Sequence, residues 1–226
     1  MADKHTYRPI PLALIALVAL FSALAALAVS GGHDAHAHGQ DHAKADISVE
    51  ELAFRQDMRK LWEDHVTWTR LAVISLTTDS PDTGATVGRL LQNQDDIGAA
   101  IAPFYGVEAG SRLATLLREH ITIAADLIAA AQAGNQSEVA RQQARWEANA
   151  DEIARFLNSA NPRWKLDETR NMLLEHLQLT TSEVVARLQS DWTADVAAYD
   201  EIHRQALHMA DMLSTGIVAQ FPKRFR

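Results

Sequence analysis

Residues 61–69 read LWEDHVTWT, residues 116–124 read LLREHITIA, and residues 172–180 read MLLEHLQLT. Each stretch has a large apolar residue four positions before a histidine and an acid directly before it. An aliphatic residue follows the histidine, and a small residue comes four positions after it. Positions three and four apart share one helical face. We therefore expect one helical unit used three times, with three histidines that face the core at one level of a bundle.

The chain after residue 47 is helical in pattern nearly throughout. A capping box over Ser48–Glu51 begins a helix that runs to about Leu76. Further long helices are predicted over four ranges: Val107–Ala133, Ser137–Asn158, Leu166–Gln189 and Ser190–Gln220. Thr77–Gly106 contains several glycines and prolines, so we interpret it as a long connection with one or two short helices, around residues 86–92 and 95–102.

These patterns predict the fold class. Sustained alternation with a period of two is absent, so strands are not expected. The sequence predicts an all-α protein, an antiparallel up-and-down bundle of four or five helices with an N-terminal transmembrane helix. The bundle domain covers residues 48–222, and a basic tail covers residues 223–226.

The N-terminal residues predict a membrane anchor. Residues 1–8 carry Lys4 and Arg8, and residues 9–30 form an uncharged run that is almost wholly apolar. A helix of about 20 residues spans a bilayer, so we interpret this run as an uncleaved signal anchor. The positive charge before it predicts a cytoplasmic N-terminus and a periplasmic bundle on the inner membrane. The alternative is a cleaved signal and a protein secreted to the periplasm.

Composition excludes several classes of function. The net charge of −8 argues against a nucleic-acid partner. The chain has no cysteine, which excludes disulfides, iron–sulfur clusters and thiol catalysis. Any metal ion must therefore be held by histidine, carboxylate, amide or methionine side chains.

Histidines near the middles of several predicted helices form the candidate site. Antiparallel helices in register bring their midpoints to one layer, so we expect these side chains to meet. The predicted transition-metal site, for zinc, copper, iron, nickel or manganese, consists of His65, His120, His176, Glu201, His203, Asp200 and Asn149. Asn149 occupies the histidine position in a weaker copy of the phrase, residues 146–149. The acids directly before the histidines are better suited to orient a neighbouring imidazole than to bind the ion.

Residues 31–47 form a flexible, histidine-rich linker. A mobile chain can bring neutral imidazoles together, so the linker is a candidate for loose metal capture. The alternative is a solvated spacer. The histidines concerned are His33, His36, His38 and His42.

Two other functions remain open at this point. Two opposed histidines could bind a b-type haem for electron transfer or sensing, although the large neighbouring residues would fill a haem cavity. The other alternative is a non-catalytic structural or signalling bundle. Its histidines would be satisfied by the neighbouring acids, and its partner would be a membrane protein or a second copy. No nucleophile or acid–base pair stands out, so an enzyme would require an open coordination position at the metal.

Three phrases resemble a family of small bacterial all-helical proteins: residues 61–70 (LWEDHVTWTR), 146–153 (WEANADEI) and 200–207 (DEIHRQAL). The resemblance covers about Met58–Pro222. Some members are labelled acetylglutamate kinase or glycosyltransferase, but this sequence has neither an α/β pattern nor a glycine-rich phosphate loop after a strand. The resemblance implies a helical bundle and no particular activity.

Overall fold

The computed structural model describes residues 47–226. Six long helices and one short 3-10 helix account for most of this range. They are α1 (Val49–Thr77), α2 (Thr83–Tyr105), α3 (Val107–Gln132), α4 (Gln136–Ala160), α5 (Leu166–Leu188), α6 (Trp192–Gln220) and the 3-10 helix Pro222–Arg224. Residues 47–226 contain no strand, so the predicted all-α class is confirmed for them.

The predicted connection over Thr77–Gly106 is wrong, because α2 is a single helix of 23 residues. Its glycines do not break it, and Gly98 has a packing role instead. A Cβ atom on Gly98 would lie 2.5 Å from the carbonyl oxygen of Gly110, so the two helices approach closely there. Pro103 lies in the last turn, where its missing N–H removes one hydrogen bond of the ladder shortly before the helix ends at Tyr105. The described bundle therefore has six helices rather than four or five.

The other predicted helices agree with the structure to within a few residues. The Ser48 hydroxyl accepts a hydrogen bond from the Glu51 amide at 3.1 Å, as the capping box predicts. The helix predicted from Ser137 begins slightly earlier, because Asn135 rather than Ser137 accepts the capping bond, from the Glu138 amide at 3.2 Å. Gly106 adopts a φ of 91°, which lets α2 turn into α3 through one residue.

The helices form a closed ring of three hairpins, α1–α2, α3–α4 and α5–α6. Each helix packs against the next, α6 packs against α1, and α1 also contacts α3 and α5. The ring closes where the chain ends, since the Ser48 hydroxyl donates to the Phe225 carbonyl at 2.8 Å. Phe225 is 8% exposed and packs against Phe54 and Phe104, so the predicted tail contributes one residue to the core.

Several predictions fall on residues outside the described range. They are the cytoplasmic segment 1–8, the signal anchor 9–30 and the linker up to residue 46. Among the helices of residues 47–226, none has the length and apolar character that crossing a membrane requires.

Candidate functional site

His65, His120 and His176 lie in the middles of α1, α3 and α5, and the structure brings them together. Their exposed fractions are 3%, 5% and 4%. The ring centroid of His176 lies 5.9 Å from that of His65 and 6.3 Å from that of His120. The first helix of each hairpin thus contributes one imidazole to a shared layer, which we call the histidine layer.

Side-chain amides on the second helices of two hairpins hold two of these rings in the same way. The Nδ1–H of His120 donates to Asn149 Oδ1 at 2.8 Å, and the Nδ1–H of His176 donates to Gln205 Oε1 at 3.1 Å. Each amide also donates its NH₂ group to a backbone carbonyl one turn before the histidine, that of Leu116 at 3.1 Å and that of Met172 at 2.8 Å. With Nδ1 protonated, the lone pair of each neutral ring is on Nε2.

The first hairpin uses two amides for the same task. Asn93 donates to the Leu61 carbonyl at 3.0 Å, matching the other two hairpins. Gln94 Nε2 has three acceptors within reach: the Leu90 carbonyl at 2.8 Å, Asn93 Oδ1 at 3.1 Å and His65 Nδ1 at 3.2 Å. Its two hydrogens serve two of them at a time, and when one points to His65, Nδ1 accepts it and the ring proton is on Nε2.

Sequence reasoning identified the histidines but missed most of their partners. Asn149 is not a copy of a histidine position; it is the amide that orients His120. Its counterparts Gln94 and Gln205 were not predicted. The available signal was a constant offset, because each of these three amides follows its histidine by 29 residues.

Burial keeps the three imidazoles uncharged. Desolvation, followed by the charges that His176 and His120 would carry, lowers the pKa of His65 to about 3. Desolvation and then His176 lower the pKa of His120 to about 3, and desolvation lowers that of His176. Neutral imidazole is the form that binds transition metals.

The histidine layer separates two small apolar cavities. One holds about 50 Å³, and its lining includes the residues four positions after each histidine: Thr69, Ala124 and Thr180. The other holds about 30 Å³, and its lining includes the residues three positions before each histidine: Trp62, Leu117 and Leu173. The layer is therefore enclosed by apolar side chains on both sides.

The remaining predicted ligands lie elsewhere. Asp200 and Glu201 are exposed on α6, and Glu201 pairs with Arg204. His203 is at the surface, with its Nε2 3.3 Å from Glu63 Oε1. The structure does not bring these three residues to the histidine layer. The linker histidines His33, His36, His38 and His42 fall outside the described residues.

A buried ionic cluster joins α1 to the third hairpin, and sequence reasoning did not predict it. Arg70 donates to Glu183 Oε1 at 2.7 Å and to both carboxylate oxygens of Asp195, which Arg187 also contacts at 3.0 Å. Burial raises the pKa of Glu183. For Asp195, burial acts in the same direction, but its two arginine partners outweigh it and lower the pKa. Every charge in this cluster is paired, so we interpret the cluster as a structural contact that holds α1 against α5 and α6.

The three histidines do not form a metal site as they stand. Within residues 47–226, no three histidine or carboxylate side chains are placed so that they could hold a metal ion as they stand. Comparison of the chain with protein-family models, curated proteins and solved structures found no match. The resemblance of Met58–Pro222 to small bacterial all-helical proteins therefore stays a prediction.

Proposed function

We propose that the bundle binds one transition-metal ion through Nε2 of His65, His120 and His176. The observation that carries the proposal is the histidine layer itself: three neutral, buried imidazoles from three hairpins, each oriented by an amide of the partner helix. A hydrogen-bond acceptor at the other ring nitrogen is the usual support of a metal-binding histidine, and the amide oxygens of Asn149 and Gln205 are such acceptors at Nδ1 of His120 and His176.

The ring spacing favours three-histidine coordination after a small movement. With metal–nitrogen distances near 2.0–2.1 Å and tetrahedral angles, imidazole centroids lie about 5 Å apart. The centroids of His65 and His120 lie 5.9 and 6.3 Å from that of His176, so each of these two pairs would approach by roughly 1 Å on coordination. His65 would also move its proton from Nε2 to Nδ1 and present it to an amide oxygen of Asn93 or Gln94.

The donor set narrows the choice of metal ion. Three imidazoles without a carboxylate suit zinc, copper, iron or nickel better than manganese, which prefers oxygen ligands. Haem is not part of the proposal, because the cavities beside the layer hold only about 50 and 30 Å³. Pockets for ligands of comparable bulk occupy several hundred Å³.

The proposal places this metal site outside the cytoplasm. The uncharged apolar run of residues 9–30, preceded by Lys4 and Arg8, supports a signal anchor with the bundle in the periplasm. His33, His36, His38 and His42 would then lie between membrane and bundle, where they could capture ions for delivery to the core. The role is metal binding, sensing or handling.

Metal content tests the proposal directly. The full chain, purified in detergent and loaded separately with Zn²⁺, Cu²⁺, Ni²⁺ or Fe²⁺, should retain one equivalent of one ion after desalting. A His120→Ala, His176→Ala variant should lose it, whereas His203→Ala, at the surface, should keep it. Asn149→Ala should weaken binding by about 10- to 100-fold, because such supporting residues contribute on that scale.

A second candidate function is a structural or signalling bundle with no metal ion. The Gln94 amide favours it, because a hydrogen bond donated by Gln94 to His65 Nδ1 keeps the ring proton on Nε2, the nitrogen that would otherwise bind the ion. A folded, metal-free chain, or metal retained by the His120→Ala, His176→Ala variant, would contradict the metal proposal. The first of these outcomes would leave the histidine layer as a device that aligns the three hairpins.

A further inference from the structure

The two ends of the bundle carry opposite charge. We call the end at which α1 begins the anchor-side end. Its residues outside the long helices are 47–48, 106, 161–165 and 221–226. They include five basic residues and no acidic one: Arg163, Lys165, Lys223, Arg224 and Arg226. At the opposite end the turns 78–82, 133–135 and 189–191 contain Asp79, Asp82 and Asp191 and no Lys or Arg. The contrast stands out in a chain with a net charge of −8.

Most acids in the first helical turns of the anchor-side end are neutralised. Glu51 pairs with Arg55, Asp167 with Arg170, and Glu168 with Lys165. Glu50 and Glu108 have no ion pair among residues 47–226. Two unpaired acidic side chains therefore remain at this end, against four unpaired basic ones: Arg163, Lys223, Arg224 and Arg226. The anchor-side end thus has an excess of positive charge.

Exposed aliphatic side chains accompany the basic residues. Val49 is 79% exposed, Val107 78%, Ile47 60% and Leu52 50%. Single exposed apolar residues are ordinary, but these four lie at the starts of α1 and α3, at one end of the bundle. Aliphatic side chains between basic residues suit the boundary between lipid headgroups and acyl chains.

The chain that precedes α1 connects the anchor-side end to the proposed signal anchor. Ser30 is the last residue of the apolar run, and it lies 17 positions before Ile47. A fully extended chain of this length would span at most about 60 Å. The bundle itself is roughly 40 Å long, because α1 and α6 have 29 residues each. The linker joins the anchor-side end, so in a chain anchored through residues 9–30 this end is closest to the anchor along the chain, and the opposite end lies a further bundle length away.

We propose that the anchor-side end docks on the anionic headgroups of the membrane in which the chain is anchored. The inference rests on the proposed signal anchor. Basic side chains are attracted to anionic lipid, and the aliphatic side chains enter the headgroup region. Each contact is weak alone, but the tether holds the end at high effective concentration beside the surface. Docking fixes the long axis of the bundle and holds the histidine layer at a set height above the membrane.

The absence of cysteine permits a clean test, because one introduced cysteine is the only labelling site. Full-length Val107→Cys and Val196→Cys variants are labelled with an environment-sensitive fluorophore and reconstituted into phosphatidylcholine vesicles with or without phosphatidylglycerol. Val196, 53% exposed near the start of α6 at the opposite end, is the matched control. We expect a blue shift and quenching by headgroup-labelled lipid for the Val107 probe in phosphatidylglycerol vesicles, and neither for the Val196 probe.

Vesicle flotation separates the two proposals. If the chain floats and the Val107 probe stays as aqueous as the Val196 probe, docking is refuted and the anchor stands. A chain that does not float refutes the anchor and the docking with it. Shielding of the Val107 probe that is equal with and without phosphatidylglycerol indicates a protein contact, such as a second copy, and overturns the lipid proposal. A Lys223→Glu, Arg224→Glu variant should lose the blue shift while it still floats.

Discussion

The Asn149 side chain satisfies two buried groups at once, the Nδ1–H of His120 and the carbonyl of Leu116. We predict that Asn149→Ala destabilises the metal-free chain by about 2–4 kcal/mol, because two buried polar groups each lose their partner. Urea unfolding followed by circular dichroism measures the loss. Asn171→Ala, an exposed asparagine of α5, should change stability by less than about 0.5 kcal/mol. Equal losses for the two variants would contradict the assigned role of Asn149.

Gly216 on α6 provides a second test of a single residue. A Cβ atom there would overlap the indole ring of Trp164, which is 1% exposed and has little room to move. We predict that Gly216→Ala lowers the free energy of unfolding by about 1–3 kcal/mol through overpacking. Gly88→Ala in α2 is the matched control, since nothing lies within 4 Å of its added Cβ. Higher helix propensity should make that variant more stable by up to about 1 kcal/mol.

At the scale of the elements, Arg70 ties α1 to α5 and α6 through Glu183 and Asp195. We predict that Arg70→Ala destabilises the chain by about 3–5 kcal/mol, because it leaves two buried carboxylates without their main partner. Arg59→Ala removes an exposed pair with Asp211 and should cost at most about 1 kcal/mol. Chemical denaturation at neutral pH measures the free energy of unfolding of both variants. Similar losses of stability would show that the buried cluster does not hold these helices together.

The sequence predicted five helices well and one poorly, for physical reasons. Apolar periodicity and caps such as Ser48 indicate α1 and α3–α6 directly. The α2 helix was misread because its glycines act as breakers in isolation, whereas Gly98 is required by the close approach of α3. Side-chain spacing on α6 suggested that Asp200 and His203 share a face, but spacing alone does not say which face is buried; Ile202, 1% exposed, is the residue that enters the core.

The histidines were predictable and the amides were not, for a related reason. A histidine in the middle of an apolar helical stripe is a local signal, and the phrase around it occurs three times. An Asn or Gln on the second helix becomes informative only when the two helices of a hairpin are paired. Gln94, Asn149 and Gln205 acquire their role from tertiary structure, through a hydrogen bond to a residue 29 positions away.

At the scale of the whole molecule, residues 47–226 consist of one type of helical hairpin used three times. Successive histidines lie 55 and 56 residues apart, and the amides Gln94, Asn149 and Gln205 have the same two separations. The three hairpins therefore share a common register, with one polar layer between apolar cavities. Such a layer penalises any slip of one helix along another, because a slipped histidine would be buried without its amide.

The same layer predicts how the metal-free molecule responds to acid. The pKa of His65 and of His120 is about 3 in the fold, against a reference value of 6.5, and that of His176 is also lowered. Between pH 6.5 and about 3 the unfolded chain therefore binds more protons than the folded one, so stability falls as the pH falls. The expected loss is about 1.4 kcal/mol per pH unit for each of His65 and His120.

Urea unfolding of the chelator-treated full chain at pH 7, 6 and 5 measures this slope. Glu183, with its raised pKa, opposes the trend, since the folded chain then holds a proton that the unfolded chain releases above pH 4.5. That contribution is common to all variants and cancels in a comparison.

His120→Gln should reduce the slope by about 1.4 kcal/mol per pH unit below pH 6.5, because one imidazole no longer gains a proton on unfolding. Asn171→Gln, at an exposed position of α5 that carries no titratable group, should leave the slope unchanged. If the His120→Gln variant has the same slope as the parent chain, His120 is not buried in its neutral form. That result would contradict the histidine layer as described.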